Sequence, residues 1–319
     1  MKKDKPHIIS VSRRTDIPAY FANWFRDRLE KGYVYYMNPL SHEPVYVDLS
    51  PENVRAFVFW TRNPKPLIEH LDFIDKKYNK RHYMHFTING LPKELEERNP
   101  KVDFAIDLVK QLSERYGDFY VQWRFDPIII SNITDEEYIL SQFEYIARKL
   151  SGYIQRCYFS YVDFYKKTII NLKIISKKYN IELYDYPLEK RIALTKDLKS
   201  ISDRYNIKMY ACAEDNLLKP TSVEKAHCVD YDLIQKVSGN DFKYKEVPSR
   251  IECGCIESKD IGYYDSCPHG CIYCYANMDP EKALENARMY LKNGFPYDNL
   301  PRKNNNVLST GKNQIKMDI

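Results

Sequence analysis

The chain has 319 residues, 44% of them hydrophobic and 29% charged, with a formal net charge of +5. That apolar content suffices for a sizeable core in one α/β barrel or two small domains, and the modest charge permits an anionic substrate without marking a nucleic-acid binder. No run approaches the ~18 apolar residues of a membrane span, and the opening "MKKDKPHIISVS" lacks the apolar core of a secretory signal, so a cytoplasmic protein with no membrane partner is expected.

Along the chain, short aromatic or β-branched runs alternate with helical patterns. "HIISVS" (7–12) reads as a strand and "AYFANWFRDRLEKG" (19–32) as a helix. "YVYYMNPLSHEPVYVDLSPE" (33–52) reads as a hairpin with its turn near Asn38–Pro39. Strands follow at 55–61, 82–88, 119–125, 156–162 and 207–213, nearly continuous in apolar character as strands buried on both faces are. Helices are expected at 65–79, 103–117, 136–152, 167–180 and within 186–206. In the helix at 103–117, Phe104, Ile106, Leu108, Val109 and Leu112 make an apolar face and Gly117 supplies the stop. Asp279–Pro280 reads as N-cap and first turn of a helix running to about Asn293. The expected organisation is barrel strands and helices over 1–215, a cysteine segment over 216–257, a segment over 258–295 that ends in that helix, and a polar tail over 296–319.

Strand alternating with helix implies parallel strands joined by right-handed crossovers, and this many units suggests a full or partial barrel. Chemistry in such a barrel collects just past the strands' C-terminal ends. Those positions carry "SRRTD" (12–16), "WTRNP" (60–64), "TING" (87–90), "WRFDP" (123–127), "VDFY" (162–165) and "CAED" (212–215), which together predict a charged pocket. His82 and His85, three apart in one strand, point to opposite faces and cannot pair on a metal. The lysine-rich stretch "YKKTIINLKIISKKYN" reads as a barrel helix with a solvated outer face.

Of the eight cysteines, only Cys157 precedes the last third, and it reads as core. Cys212, Cys228, Cys253, Cys255, Cys267, Cys271 and Cys274 crowd the C-terminal part, and in a reducing compartment clustered thiols point to metal or redox chemistry. Cys212, Cys228, Cys253 and Cys255 form a set of four able to bind a second iron–sulfur cluster or a zinc, with Gly254 easing the turn between two of them; some of the four, Cys212 above all, also read as small buried residues. "CPHGCIYCYA" (267–276) offers three thiolates in one loop, either for a four-iron cluster with one iron left open or, with His269 as fourth ligand, for a zinc.

Cys267-x3-Cys271-x-Tyr273-Cys274 resembles the signature of the radical S-adenosylmethionine enzymes. The resemblance implies that these three cysteines hold a 4Fe–4S cluster and that S-adenosylmethionine chelates the fourth iron. It further implies that reductive cleavage gives a 5′-deoxyadenosyl radical, with Tyr273 packing near the adenine. "SVSRRTDIPAYF", "VFWTRNP", "WRFDP", "ACAE" and "CGCIESKDIGYYDSCPHGCIYCYAN" resemble, over nearly the whole chain, a family of unassigned function with that motif at its C-terminus. In the superfamily the cysteine loop follows the first barrel strand. Here it comes last, which implies that "SKDIGYY" (258–264) is that first strand and 279–293 the helix after it, completing the barrel over 258–295. The fold implied is α/β, a circularly permuted, partial TIM-like (β/α) barrel with a cysteine-rich C-terminal segment. The usual Gly-Gly-Glu motif is absent, and Ser12, Arg13, Arg14, Thr15 and Asp16 stand at the equivalent place. Trp60, Arg62, Asn63, Arg124 and Asp126 are expected to complete the cofactor pocket, Trp60 by stacking and Arg62 and Arg124 by neutralising a carboxylate or phosphate. No catalytic residue is nominated; Cys212 and several tyrosines are candidate hydrogen donors to a product radical. Expected partners are a substrate (small molecule, peptide or nucleic acid) and a reductant such as flavodoxin or ferredoxin. The alternatives are a zinc-stabilised binding protein and an iron–sulfur electron-transfer protein that does not cleave the cofactor.

Overall fold

The structure, a computed structural model, describes residues 5–163, 179–239, 241–247 and 252–303. In chain order its first elements are β1 (His7–Val11), α1 (Ile17–Tyr20), α2 (Ala22–Lys31), β2 (Tyr33–Met37), β3 (Pro44–Asp48), β4 (Val54–Thr61), α3 (Lys65–Ile68) and α4 (Leu71–Tyr78). Then come β5 (His82–Thr87), α5 (Val102–Tyr116), β6 (Val121–Ile128), α6 (Glu136–Leu150), β7 (Arg156–Tyr161) and α7 (Leu188–Arg204). The last are β8 (Lys208–Ala211), α8 (Asp215–Thr221), β9 (Glu224–Lys225), α9 (Tyr231–Ser238), β10 (Lys259–Asp260) and α10 (Pro280–Asn293). No helix among the described residues is long and apolar enough to cross a membrane.

The apolar runs make an eight-stranded sheet of order β10-β1-β4-β5-β6-β7-β8-β9, parallel throughout. The last strand in sequence thus lies beside the first, with Ile9 opposite Lys259 and Ser10 opposite Asp260. β2 and β3 pair as the expected antiparallel hairpin, closed where Asn38 N donates to Glu43 O at 2.9 Å.

The two faces of the sheet differ chemically, because successive side chains alternate sides. One face packs on helices: Phe57 and Phe59 on Phe25 of α2, Trp123 and Phe125 on Phe143 of α6, and Tyr161 on Thr195 of α7. His82 belongs to this face, between Asp75 of α4 and Tyr120. The other face presents Ser10, Trp60, His85, Arg124 and Tyr158, with Ser12, Asp126 and Ser160 toward the C-terminal ends. The main apolar core runs from Ile8 to Phe295 and includes Cys157, Cys228 and Ala287, so the segment over 216–257 and α10 pack into it. A second apolar cluster gathers Leu95, Ile129, Val162 and Ile181 around Cys271, Ile272 and Tyr273 of the cysteine loop.

Three expectations need correction. Phe104 is 38% exposed beneath the Lys65 ammonium and departs from the expected face of α5, while Ile106, Leu108, Val109 and Leu112 are buried as expected and Ala105 joins them. The helices at 19–32 and 65–79 are each interrupted, at Phe21 (φ −127°, ψ 26°) and at Glu69–His70. The strand expected over 258–264 stops at Asp260, because that side chain accepts from Gly262 N at 3.0 Å and folds the chain away from the sheet. The helix expected at 167–180 falls, but for its last two residues, outside the described residues, as does the tail beyond 303.

These placements predict opposite outcomes for two aromatic truncations. Trp123→Ala should cost about 3–5 kcal/mol in denaturant unfolding, whereas Phe104→Ala should stay within about 0.5 kcal/mol.

Candidate metal and cofactor site

The three-cysteine loop is held by the long β5–α5 connection. Ile272 N donates to Leu95 O at 3.2 Å and Arg98 N to His269 O at 3.1 Å, while Glu96 and Cys271 form an antiparallel bridge. Asn99 Nδ2 points at Cys271 Sγ, 3.8 Å away. Side chains lock the same contact: Arg62, just past β4, donates to Glu96 Oε1 and to the Tyr273 hydroxyl, each at 2.6 Å, and Tyr273 itself donates to Glu96. Burial works against the Arg62 charge, but Cys271, Glu96 and Tyr273 outweigh it and hold the guanidinium protonated. Burial also pushes the Cys271 thiol up to about 12, with Arg62 opposing the shift and Glu96 and Cys274 adding to it. Cys267 is raised by burial and then by Asp16, Cys274 and Cys271, so the three thiols lie within electrostatic reach of one another.

From the other side the loop is held by the turn after β1. Asp16 Oδ1 caps α1 through Ala19 N at 2.9 Å, while its Oδ2 accepts from Arg62 N and pairs with His269 Nε2, both at 2.7 Å. His269 Nδ1 lies 3.3 Å from the Tyr20 hydroxyl. Both nitrogens of His269 are therefore engaged with Asp16 and Tyr20 rather than with the thiols. The "SRRTD" turn folds around Asp260: its carboxylate accepts from Ser10 and Ser12 hydroxyls at 2.8 and 2.5 Å and from Arg13 N at 2.8 Å. Glycine is required opposite, since a Cβ at Gly262 would lie 2.0 Å from Ser12 Oγ.

The remaining expected pocket residues divide. Arg13 and Arg124 flank the Trp60 ring, 5.6 and 5.4 Å from its centroid, and His85 stacks on it at 4.4 Å. Burial, then Arg124, pushes the His85 pKa well down, so the ring is neutral. Arg62 and Arg124 are paired with Glu96 and Asp126, and Asp126 also accepts from Ser160. Arg14 lies over Tyr36 and Tyr264 and within 4.0 Å of Asp260, and Asn63 Oδ1 accepts from Lys65 N at 3.2 Å where α3 begins. Thr15 Oγ1, Trp60 Nε1, His85 Nδ1 and Asn99 Oδ1 are buried without a hydrogen-bond partner, an arrangement that costs about 1–3 kcal/mol per group. A cavity of about 150 Å³ lies beside the loop, lined by Arg62, Asn89, Glu96 and Asn99 among others. A larger surface hollow of about 510 Å³, along α7, is remote from both cysteine sets.

The other four cysteines also meet. Cys212 Sγ and Cys228 Sγ are 3.5 Å apart, Cys228 contacts Cys255, and Cys255 contacts Cys253. All eight thiols are unbridged, and Cys157 is fully buried core, as expected. Among the described residues, no group of three or more His, Cys, Asp or Glu side chains is already gathered to hold a metal ion. Sequence reasoning missed Glu96, Arg98, Asn99 and Asp260. The signal for the first three was the length of "NGLPKELEERNPK" between β5 and α5, well beyond the usual ~2–6 residues. Asp260 carried none.

Because folding lifts the Cys271 pKa from its ordinary 9.0 to about 12, the folded thiol keeps a proton that the unfolded thiol loses. Its contribution to stability is complete below pH 9 and disappears as pH rises toward 12. In the reduced, metal-free chain, Cys271 should therefore alkylate far more slowly than free cysteine at pH 8 and accelerate with pH well above 9; an ordinary thiol profile contradicts the burial.

The surroundings of these cysteines coincide with a family boundary. A family model described as Domain of unknown function (DUF1848) matches residues 8–276, from β1 through the last cysteine of the loop. A search of curated proteins finds no match. The match spans most of the chain and takes in both cysteine sets, so this protein belongs to the DUF1848 family.

Proposed function

We propose that the chain is a cytoplasmic radical S-adenosylmethionine enzyme on a partial, circularly permuted (β/α) barrel. The observation that carries the reading is the ligand set of the cysteine loop. Cys267, Cys271 and Cys274 lie in one buried loop, and the loop's own imidazole, His269, is committed to Asp16 and Tyr20. A structural zinc takes four protein ligands, whereas a four-iron cluster held by three thiolates keeps one iron for a small molecule. The sheet order supports the permuted barrel: β10, which leads into the cysteine loop, pairs with β1 as a first strand pairs with a second.

When bound, a 4Fe–4S cluster supplies one electron to the sulfonium of S-adenosylmethionine, whose cleavage yields methionine and a hydrogen-abstracting 5′-deoxyadenosyl radical. The chain's own residues prepare that site. Arg62 keeps a positive charge beside Cys271, which favours the thiolate that ligation demands. Thr15 Oγ1, Trp60 Nε1 and Asn99 Oδ1 are unpaired polar atoms that a bound molecule would satisfy. The cavity of about 150 Å³ is smaller than the roughly 300–1,000 Å³ of small-molecule sites, so cofactor and substrate must extend over the polar face at Trp60. In the cell, a flavodoxin or ferredoxin would supply the electron.

Anaerobic reconstitution with iron and sulfide, then dithionite and S-adenosylmethionine, should release 5′-deoxyadenosine, and Cys271→Ala should abolish it. A brown protein that releases none is an electron-transfer protein, and a colourless one that retains zinc at this loop is a binding protein; either result overturns the reading.

A further inference from the structure

The second cysteine set has a geometry of its own. Its sulfurs come from opposite edges of the sheet. Cys212 follows β8 and Cys228 follows β9, at one edge, while Cys253 and Cys255 precede β10 at the other. β9 and β10 do not pair with each other among the described residues, so the sheet is open between them. Across this gap Cys212 and Cys228 stand 3.5 Å apart, Cys228 meets Cys255, and Cys255 meets Cys253.

The backbone around these thiols is fixed independently of them. The Cys228 carbonyl is held by the Tyr83 hydroxyl at 2.8 Å and His85 Nε2 at 2.7 Å. Ile256 N donates to Val229 O at 3.1 Å, and His227 Nδ1 meets Gly254 O at 2.6 Å. A Cβ at Gly254 would strike His227 Nδ1 at 2.7 Å, so only glycine allows this approach between Cys253 and Cys255. Two donors also aim at sulfur: Val229 N at Cys255 Sγ, 3.4 Å, and Arg124 Nη1 at Cys228 Sγ, 3.2 Å. Donors of this kind compensate the negative charge of metal-bound thiolate.

We propose that Cys212, Cys228, Cys253 and Cys255 form a tetrathiolate site for one zinc ion, which fastens the two open edges of the sheet to each other. Metal–sulfur bonds of about 2.3 Å in a tetrahedron put the sulfurs about 3.8 Å apart, close to the observed contact. A cubane cluster instead spreads its cysteines over four separate irons and demands a wider spacing. The four sulfurs are not yet gathered around one point, and side-chain rotation about Cα–Cβ brings them to one ion. Binding releases the thiol protons to solvent and changes no oxidation state. The proposal is independent of the radical reading, because it uses none of Cys267, Cys271 and Cys274.

The test uses the full chain carrying Cys267→Ala, Cys271→Ala and Cys274→Ala. Titrated anaerobically with cobalt(II), it should bind one ion with the visible and sulfur charge-transfer absorption of a tetrahedral tetrathiolate, and zinc should displace the cobalt. Cys228→Ser or Cys255→Ser on that background should remove about a quarter of the charge-transfer intensity, one thiolate in the set of four. Should the triple substitution unfold the chain, X-ray absorption at the zinc edge of the wild-type protein reads the same site, with four sulfur neighbours at about 2.3 Å expected. Uptake of four irons with sulfide at these cysteines, no cobalt binding, or a Cys212–Cys228 disulfide in place of metal would each overturn the proposal.

Discussion

The buried ion pair between Arg62 and Glu96, with the Tyr273 hydroxyl on the same carboxylate, is the constraint on which the rest of the site depends. It joins three stretches far apart in sequence: the end of β4, the β5–α5 connection and the cysteine loop. A buried pair of this kind contributes little net stability when complete, yet losing one partner costs about 3–5 kcal/mol, because the other charge is stranded. Its worth is therefore positional. It sets Cys271 against a permanent cation and fixes the loop in one register against the sheet.

That register exists only because the chain's last strand lies beside its first. β10 contributes two residues to the ladder, and its hold on β1 comes mainly from Asp260, which organises Ser10, Ser12 and Arg13 through one buried carboxylate. The same turn leads directly to Asp16, which caps α1 and grips His269. One short strand thus transmits the position of the sheet to both sides of the loop. The helices with named contacts cover one face, which leaves the other to Trp60, Arg13 and Arg124, a polar surface between the two cysteine sets.

Much of this was legible in the sequence, for physical reasons that differ by element. The parallel strands announce themselves through continuous apolar runs such as "RAFVFWT", and the cap of the C-terminal helix was explicit in Asp279–Pro280, where Asp279 accepts from Glu281 N at 2.8 Å. The cysteine loop was legible from spacing alone. The loop's partners were not: Glu96 and Asp260 are ordinary acidic residues whose importance arises from contacts more than 170 residues away in sequence. The partners of Arg62 and Arg124 were hidden in the same way, because a sequence does not show which carboxylates pair with which arginines. Phe104 illustrates the remaining error: one ring of the expected α5 stripe lies at its exposed margin, where Ala105 is buried beside Ile106, Leu108, Val109 and Leu112.

If Cys267, Cys271 and Cys274 leave a coordination position for S-adenosylmethionine, binding of the cofactor must perturb the reduced cluster electronically. Electron paramagnetic resonance of the dithionite-reduced protein, recorded before and after S-adenosylmethionine is added, reads that perturbation. A reduced 4Fe–4S signal whose g-values shift when the cofactor binds is the expected result. A reduced-cluster signal that the cofactor leaves unchanged would contradict the open coordination position.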